Sequence, residues 1–367
     1  MDYFFYYKDN NLVSIANSIL LHFTGKCFHE PHKELTSILN QKPYNKVCIM
    51  LFDGMGKSIQ EAHLKESDYL LRKKAFEISS VFPPTTAAAT TSITTGKYPI
   101  ETGFLGWQQY FKQHNLVVEM FTNCNAATKE KINGPLLSET YCPNEKIWDI
   151  LAKNNVYSKP LYPCSIDPMG PKDLKEFFQV ADIYMKHKGT HFYYMYYPYP
   201  DSLIHMYGTK ANEVHECVKY INKEVSKLAK ENKDNLIIVL ADHSLIDSKW
   251  FNIYEHEDFA STLKIMHSLD SRSSFFHVKE GKSDNFVKAF NKYYGKYFKL
   301  FTKEEVISLG FFGEGEKHPN FDDFLGDYMA TSISEYGFTI KDGDYMKGAH
   351  SGSLKEESII NVAVLNR

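Results

Sequence analysis

Six side chains suited to holding metal ions are spread along the chain: Asp53, Asp201, His205, Asp242, His243 and His350. A threonine pair, Thr85-Thr86, joins them as a source of a nucleophilic hydroxyl. Taken singly, each is weak. Asp53 in Asp-Gly-Met-Gly is an ordinary turn, and His350 in Gly-Ala-His-Ser-Gly is an ordinary loop residue. Asp201 and His205 are more informative, because the i, i+4 spacing puts both on one helix face. As a set they say more. Three carboxylates and three imidazoles suit two borderline divalent ions such as zinc. Two ions about 3.5–4 Å apart hold the attacking and leaving oxygens of an in-line displacement.

The segment FPPTTAAATTSITTG (82–96) lacks the large apolar residues of an ordinary core helix. It reads as a small-residue helix packed closely on a sheet. Thr85 or Thr86 then stands at its N-terminus, where free N–H groups and the helix dipole favour an anion such as phosphate. A threonine hydroxyl there needs its pKa lowered, which two divalent cations can do.

The elements that must position these residues are apolar runs ending in polar ones. VCIMLF (47–52) leads into Asp53, HFYYMYY (191–197) into the turn-rich Pro-Tyr-Pro-Asp, and NLIIVLAD (235–242) into His243. ESIINVAVL (357–365) is a fourth strand, and amphipathic helices are expected at 213–231 and 283–294. Continuous apolar strands alternating with helices argue for a mostly parallel sheet covered on both faces, an α/β class. Ligands in such sheets bind beyond the carboxyl ends of the strands, where three of these acids fall. Two aromatic-rich and turn-rich stretches, 106–188 and 248–345, read as insertions near that edge of a single domain spanning 1–367.

In order and local pattern the chain resembles the alkaline phosphatase superfamily, and within it the nucleotide pyrophosphatases and phosphodiesterases. The resemblance rests on Asp53-Gly54 after the first strand and on Phe82-Pro83-x-Thr85-Thr86 with Thr94-Thr95-Gly96-x-Tyr98-Pro99. Pro200-Asp201-x-x-x-His205-x-x-Gly208, Asp242-His243 and Gly348-x-His350 complete it. It implies a three-layer α/β/α sandwich. It further implies that Asp53, Asp242 and His243 hold one metal ion, which touches Thr86, and that Asp201, His205 and His350 hold the other. Thr86, rather than Thr85, takes the nucleophile's place, and the metals expected are two Zn2+ ions, with Mn2+ as the alternative. The implied activity is hydrolysis of phosphodiester or pyrophosphate bonds, nucleotides favoured, through a covalent phosphothreonine. The alternatives are a phosphomonoesterase or phosphonate hydrolase on the same metals, then a phosphosugar mutase or a non-catalytic binding protein. A threonine nucleophile argues against the sulfatase branch.

Two positions depart from the family pattern. Where resembling diesterases carry a phosphoryl-binding Asn, this chain has Gly106-Trp107-Gln108, so Gln108 or the backbone is expected to take that contact. Trp107, Tyr110 and Phe111 are candidates to stack on a ring, although core packing explains them as well. Ser244 replaces the usual Gly after Asp242-His243.

Composition excludes other classes. Hydrophobic residues make up 43% and charged residues 24%, and the net charge is −3, with the basic residues scattered. No field points to duplex nucleic acid or an anionic membrane. No apolar run is long enough to span a bilayer, and MDYFFYYKDNN shows no signal-like run. The six cysteines form no CxxC pair, so free thiols in the cytoplasm are expected. There is no GxSxG elbow and no phosphate-binding P-loop. Gly313-Glu314-Gly315 reads as a loop, and His256 and His318 as surface histidines.

Overall fold

The computed structural model describes residues 9–342 and 346–367. The reading that the first residues show no signal-like run falls largely on 1–8, and the end of the second expected insertion on 343–345; both lie outside the described residues.

The central sheet has six strands: β1 (Lys46–Phe52), β2 (Lys74–Ser79), β3 (Tyr157–Leu161), β4 (His191–Tyr197), β5 (Leu236–Leu240) and β6 (Ile359–Leu365). Their order is β2-β6-β5-β1-β4-β3. β1 lies between β4 and β5, parallel to both, and β3 is parallel to β4. Only β6 runs against its neighbours, antiparallel to β2 and β5. β4, β5 and β6 are buried at every residue, as strands covered on both faces must be. This explains why their sequences are continuously apolar rather than alternating.

Two groups of helices supply the cover. One contains α1 (Leu12–Thr24) and α2 (Thr86–Thr95), which pack on each other. The other contains α3 (Leu174–Met185), α4 (Asp201–Tyr207) and α5 (Asn212–Glu231). α5 buries Val214, Cys217, Val218, Ile221, Val225 and Leu228, one face at three- and four-residue spacing. α2 is buried at every residue except Thr90, and its small side chains allow that close approach. It stops at Gly96, whose φ of 72° permits the left-handed cap that returns its N–H to Ser92 O at 2.9 Å.

A second sheet, antiparallel throughout, is built from both aromatic-rich stretches. Its order is Phe298–Thr302, Tyr328–Ser332, Ser273–Phe276, Ser268–Leu269, Gln108–Phe111 and Leu116–Glu119. The aromatic richness goes into its packing: Phe111, Phe275, Phe312, Phe321 and Phe324 form one cluster, and Phe259, Phe276, Phe286, Phe290 and Tyr294 another. The 106–188 stretch also contains β3 and α3, which belong to the central layers. Among the described residues no helix is long and apolar enough to cross a membrane.

Candidate active site

Five chain segments bring the chemistry together at the carboxyl ends of the central strands. Asp53 follows β1 directly, and its N–H donates to Tyr197 O at 3.0 Å, tying it to the end of β4. Gly54 has φ 70°, and a Cβ there would lie 2.8 Å from the Asp201 Cβ, so only glycine lets these two turns meet. Asp201 opens α4, with His205 one turn on. Asp242 and His243 follow β5. His350 follows the two-residue strand Gly348–Ala349, which pairs with Ile246–Asp247. Thr86 is the first residue of α2.

The side chains converge. Thr86 Oγ1 lies 3.3 and 3.5 Å from the two Asp53 carboxylate oxygens and 3.2 Å from His243 Nε2. His243 Nε2 is 3.4 Å from Asp53 Oδ1 and 3.5 Å from Asp242 Oδ2. His205 Nε2 is 3.2 Å from Asp201 Oδ2, and His350 Nε2 is 3.9 Å from Asp201 Oδ1. The His243 and His350 rings lie 3.9 Å apart between centroids, tilted by 30°. All six acids and imidazoles singled out in the sequence are therefore in one place, with Thr86 against them.

The histidines are oriented alike. Nδ1 of His205 faces Gly348 O at 2.8 Å, Nδ1 of His350 faces Pro84 O at 3.1 Å, and Nδ1 of His243 faces Ser244 O at 3.3 Å. A carbonyl oxygen only accepts, so each Nδ1 carries a proton and each ring turns its Nε2 toward the cluster, where it can serve as a ligand once that nitrogen is free of its proton. This is the outer-shell arrangement that fixes metal-binding histidines. Asp242 is held by its Oδ1, which accepts from the N–H of Gly54 (3.1 Å) and of His243 (3.0 Å). Its Oδ2 and the Asp201 Oδ1 are buried without any hydrogen-bond partner. Buried carboxylate oxygens left bare in this way fit a cation.

Electrostatics point the same way. Burial, reinforced by Asp242 and Asp201, pushes the Asp53 carboxyl well above its ordinary range, and burial raises Asp242 too. Burial also works upward on Asp201, but His205, His350 and His243 outweigh it and hold that carboxyl down. Burial lowers His205, yet Asp201 beside it raises the ring to about 9. Three buried carboxylates cannot all ionise without compensating positive charge. Two groups have ligand atoms within 4.8 Å of one another, Asp201/His205/His350 and Asp53/Asp201/His243. Asp201 is common to both candidate groups. The resemblance had assigned it to one position only, with Asp242 completing the other.

Tyr196, on β4, is a member that sequence reasoning missed. Its hydroxyl donates to Asp53 Oδ2, and burial together with Asp53 and Asp242 pushes its pKa far up, so it stays a donor. The hydroxyl that flanks Thr86, that of Thr85, donates instead to Asp270 at 2.7 Å. Ser244 turns its hydroxyl to Ser58 at 2.6 Å.

A cavity of about 670 Å³ opens onto Asp53, Thr86 and Asp201. Its walls include Trp107, Phe121, Tyr162 and Tyr196, and its floor is the Thr86, Thr90, Thr91, Thr94 face of α2. The structure brings Trp107 here, edge-on to Phe121 at 5.8 Å, but not Gln108. Gln108 lines a separate cavity of about 40 Å³ with His267 and Phe338. Tyr110 and Phe111 are buried in packing clusters. His256 stacks on Tyr293 and His318 on Phe324, away from the site.

The profile of the type I phosphodiesterase / nucleotide pyrophosphatase family matches residues 47–353, which contain every residue of this cluster. The chain belongs to that family. By sequence, no curated protein matches it. By structure, it is similar to murine ectonucleotide pyrophosphatase / phosphodiesterase 5, with TM-score 0.64 and 15% identity over 86% of this chain and 87% of that one. An inactive threonine-to-alanine variant of the murine protein, in complex with AMP, matches with TM-score 0.63 and 14% identity over 86% and 87%. The human protein of the same name matches with TM-score 0.63 and 14% identity over 87% of each chain. As a member of the type I phosphodiesterase family the chain is a phosphodiester hydrolase of the alkaline phosphatase superfamily.

Proposed function

We propose that the chain hydrolyses a nucleotide-type phosphodiester or pyrophosphate in two displacements, with Thr86 as the nucleophile and two divalent cations held by Asp53, Asp201, His205, Asp242, His243 and His350. The observation that carries this reading is the setting of Thr86 Oγ1, within 3.2–3.5 Å of His243 Nε2 and both Asp53 oxygens. Bound Zn2+ or Mn2+ would supply Lewis-acid stabilisation of charge on the phosphoryl oxygens and a lowered pKa for the hydroxyl.

The chain's own residues do the rest. Thr86 Oγ1 forms a bond to phosphorus as the bond to the leaving oxygen breaks, giving phospho-Thr86 and the alcohol or phosphate released. Water then cleaves the Oγ1–P bond and restores the hydroxyl. No side chain caps α2, so its first-turn N–H groups and dipole are available to a phosphoryl oxygen. That backbone contact takes the place of the family's Asn, because Gln108 faces another cavity. Trp107, Phe121 and Tyr162 give the aromatic walls that a nucleobase needs. The AMP complex of the murine relative supports a nucleotide here. The missing Asn favours one second reading, a phosphomonoesterase or phosphonate hydrolase with the same metals.

Protein reconstituted with Zn2+ or Mn2+ is to be tested on nitrophenyl mono- and diesters, dinucleotides and nucleoside triphosphates. Diester or pyrophosphate turnover that exceeds monoester turnover is the expected result. The reverse order would replace the first reading with the second.

A further inference from the structure

The far end of the cavity holds a cation that the chemistry at Thr86 does not use. Lys146 lines the cavity together with Asp53 and Thr86. Among the described residues its ammonium makes no ion pair, and its one hydrogen bond runs to Thr94 Oγ1 at 3.4 Å. Burial lowers its pKa to about 8, against an opposing pull from Asp149. An ammonium kept partly dry without a bound anion loses hydration and gains little in return.

Its position along the floor sets a length. Thr86 and Thr94 are on the same face of α2, and at 1.5 Å rise per residue they are ~12 Å apart along the helix axis. The side chains between them are Thr90 and Thr91 hydroxyls, and the flanking walls are aromatic. Thr90 and Thr94 hydroxyls already donate to carbonyls of their own helix, Thr86 O at 2.6 Å and Thr90 O at 2.7 Å, and so offer a ligand only lone pairs. Lys146 is thus the donor at this end with charge. Glu139 also lines the cavity, but it is exposed to water.

We propose that Lys146 is a specificity-determining residue that binds a second anionic group, a phosphate or carboxylate, carried by the substrate ~12 Å from the phosphorus that Thr86 attacks. Substrates with an anion at both ends are then preferred over those with one. The inference rests on the reading of Thr86 as the reacting end.

The probes are p-nitrophenyl alkyl phosphodiesters in pairs of equal chain length, one ending in methyl and the other in carboxylate or phosphate. Metal-loaded protein should prefer the anion-ended member of the best-fitting length by about 10-fold or more in kcat/KM, the scale of a charge-assisted hydrogen bond. Lys146→Met should bring that ratio to near one, and Lys146→Arg should keep part of it. Carboxylate- and phosphate-ended arms tell which anion fits. The corresponding alkyl monophosphates, titrated calorimetrically into the same proteins, read the same preference without turnover. A ratio near one for wild type at every chain length, or a ratio unchanged by Lys146→Met, overturns the proposal. If methyl-ended diesters are cleaved while the ratio is one, only this inference fails. If no diester is cleaved yet the calorimetric preference is present and lost in Lys146→Met, the distal site stands and the diesterase reading fails.

Discussion

If Asp53 holds a cation as proposed, Tyr196→Phe isolates the support of that ligand from the ligand itself. The Tyr196 hydroxyl donates to Asp53 Oδ2, while the other Asp53 oxygen faces His243 Nε2 at 3.4 Å. Replacing Tyr by Phe removes one oxygen and keeps the ring, so the packing of β4 is retained. What goes is a donor to a buried carboxylate, and hydrogen bonds to charged groups contribute about 1.5–3 kcal/mol. Outer-shell partners of metal ligands typically set metal affinity by about 10–100-fold, or about 1.4–2.8 kcal/mol, which agrees with that range. The fold should lose less than the site, because the bare Asp53 oxygen can still be met by a cation. Competition with a chromophoric chelator, without substrate, should therefore show the weaker-held ion bound about 10–100-fold less tightly in Tyr196→Phe. Restoring the metal concentration should recover much of the turnover. An affinity within about twofold of wild type would show that the hydroxyl does not orient Asp53, and that the argument from outer-shell support is mistaken here.

Other outcomes follow from the same geometry. Thr86→Ala should cost a thousandfold or more in rate, about 4 kcal/mol, while Thr86→Ser keeps part of the activity and Thr85→Ala is milder; near wild-type turnover in Thr86→Ala would point to direct attack by water. Acid-quenched peptide mapping should find phosphate on Thr86. Elemental analysis should count two ions per chain. At free metal one hundred times its Kd, chelation should remove about 2.7 kcal/mol of stability, read as a fall of several degrees in Tm, and an unchanged Tm would speak against a buried cation site. Arg272→Met should destabilise by about 3–5 kcal/mol in denaturant melts, because it leaves Glu357 buried and unpaired; Arg272→Met/Glu357→Leu should recover much of that loss. All six cysteines are free in the structure. We propose a reducing, cytoplasmic setting, although the solved relatives are named as ecto-enzymes, and several disulfides in protein alkylated without reductant would refute it.

The parts of the site legible in the sequence were those whose signal is local. Asp201 and His205 share a helix turn, and Asp53 and Asp242-His243 end apolar runs, so the rule that ligands gather beyond parallel strand ends already places them together. The strand order follows less directly. Nothing in ESIINVAVL says that β6 runs antiparallel between β2 and β5, because a fully buried strand looks the same in either direction. The aromatic stretches were ambiguous for a related reason. Phe and Tyr that stack on a ligand and those that fill a second sheet have the same composition, and only the pairing of Gln108 with Leu269 decides that Gln108 turns from the site while Trp107, one residue earlier, faces it.

What stayed hidden is held by contacts distant in sequence. Tyr196 reads as one more aromatic residue of a buried strand until Asp53 appears beside its hydroxyl. Arg272 reads as a surface charge, yet it is fully buried, bonded to Glu357 at 2.7 and 2.9 Å. Glu357 in turn accepts from Gly352 N–H at 2.8 Å, and Arg272 N–H donates to Ser351 Oγ at 3.2 Å. Ser351 follows His350 and takes a left-handed φ of 79°, a conformation that a serine keeps only when its surroundings hold it. The buried ion pair is that surrounding. It fastens the second sheet to the loop that carries His350, so Arg272 and its neighbours hold that candidate ligand from behind, whereas 106–188 supplies Trp107, Phe121, Lys146 and Tyr162 to the cavity in front. The two aromatic-rich stretches thus divide between them the holding of His350 and the walls of the cavity.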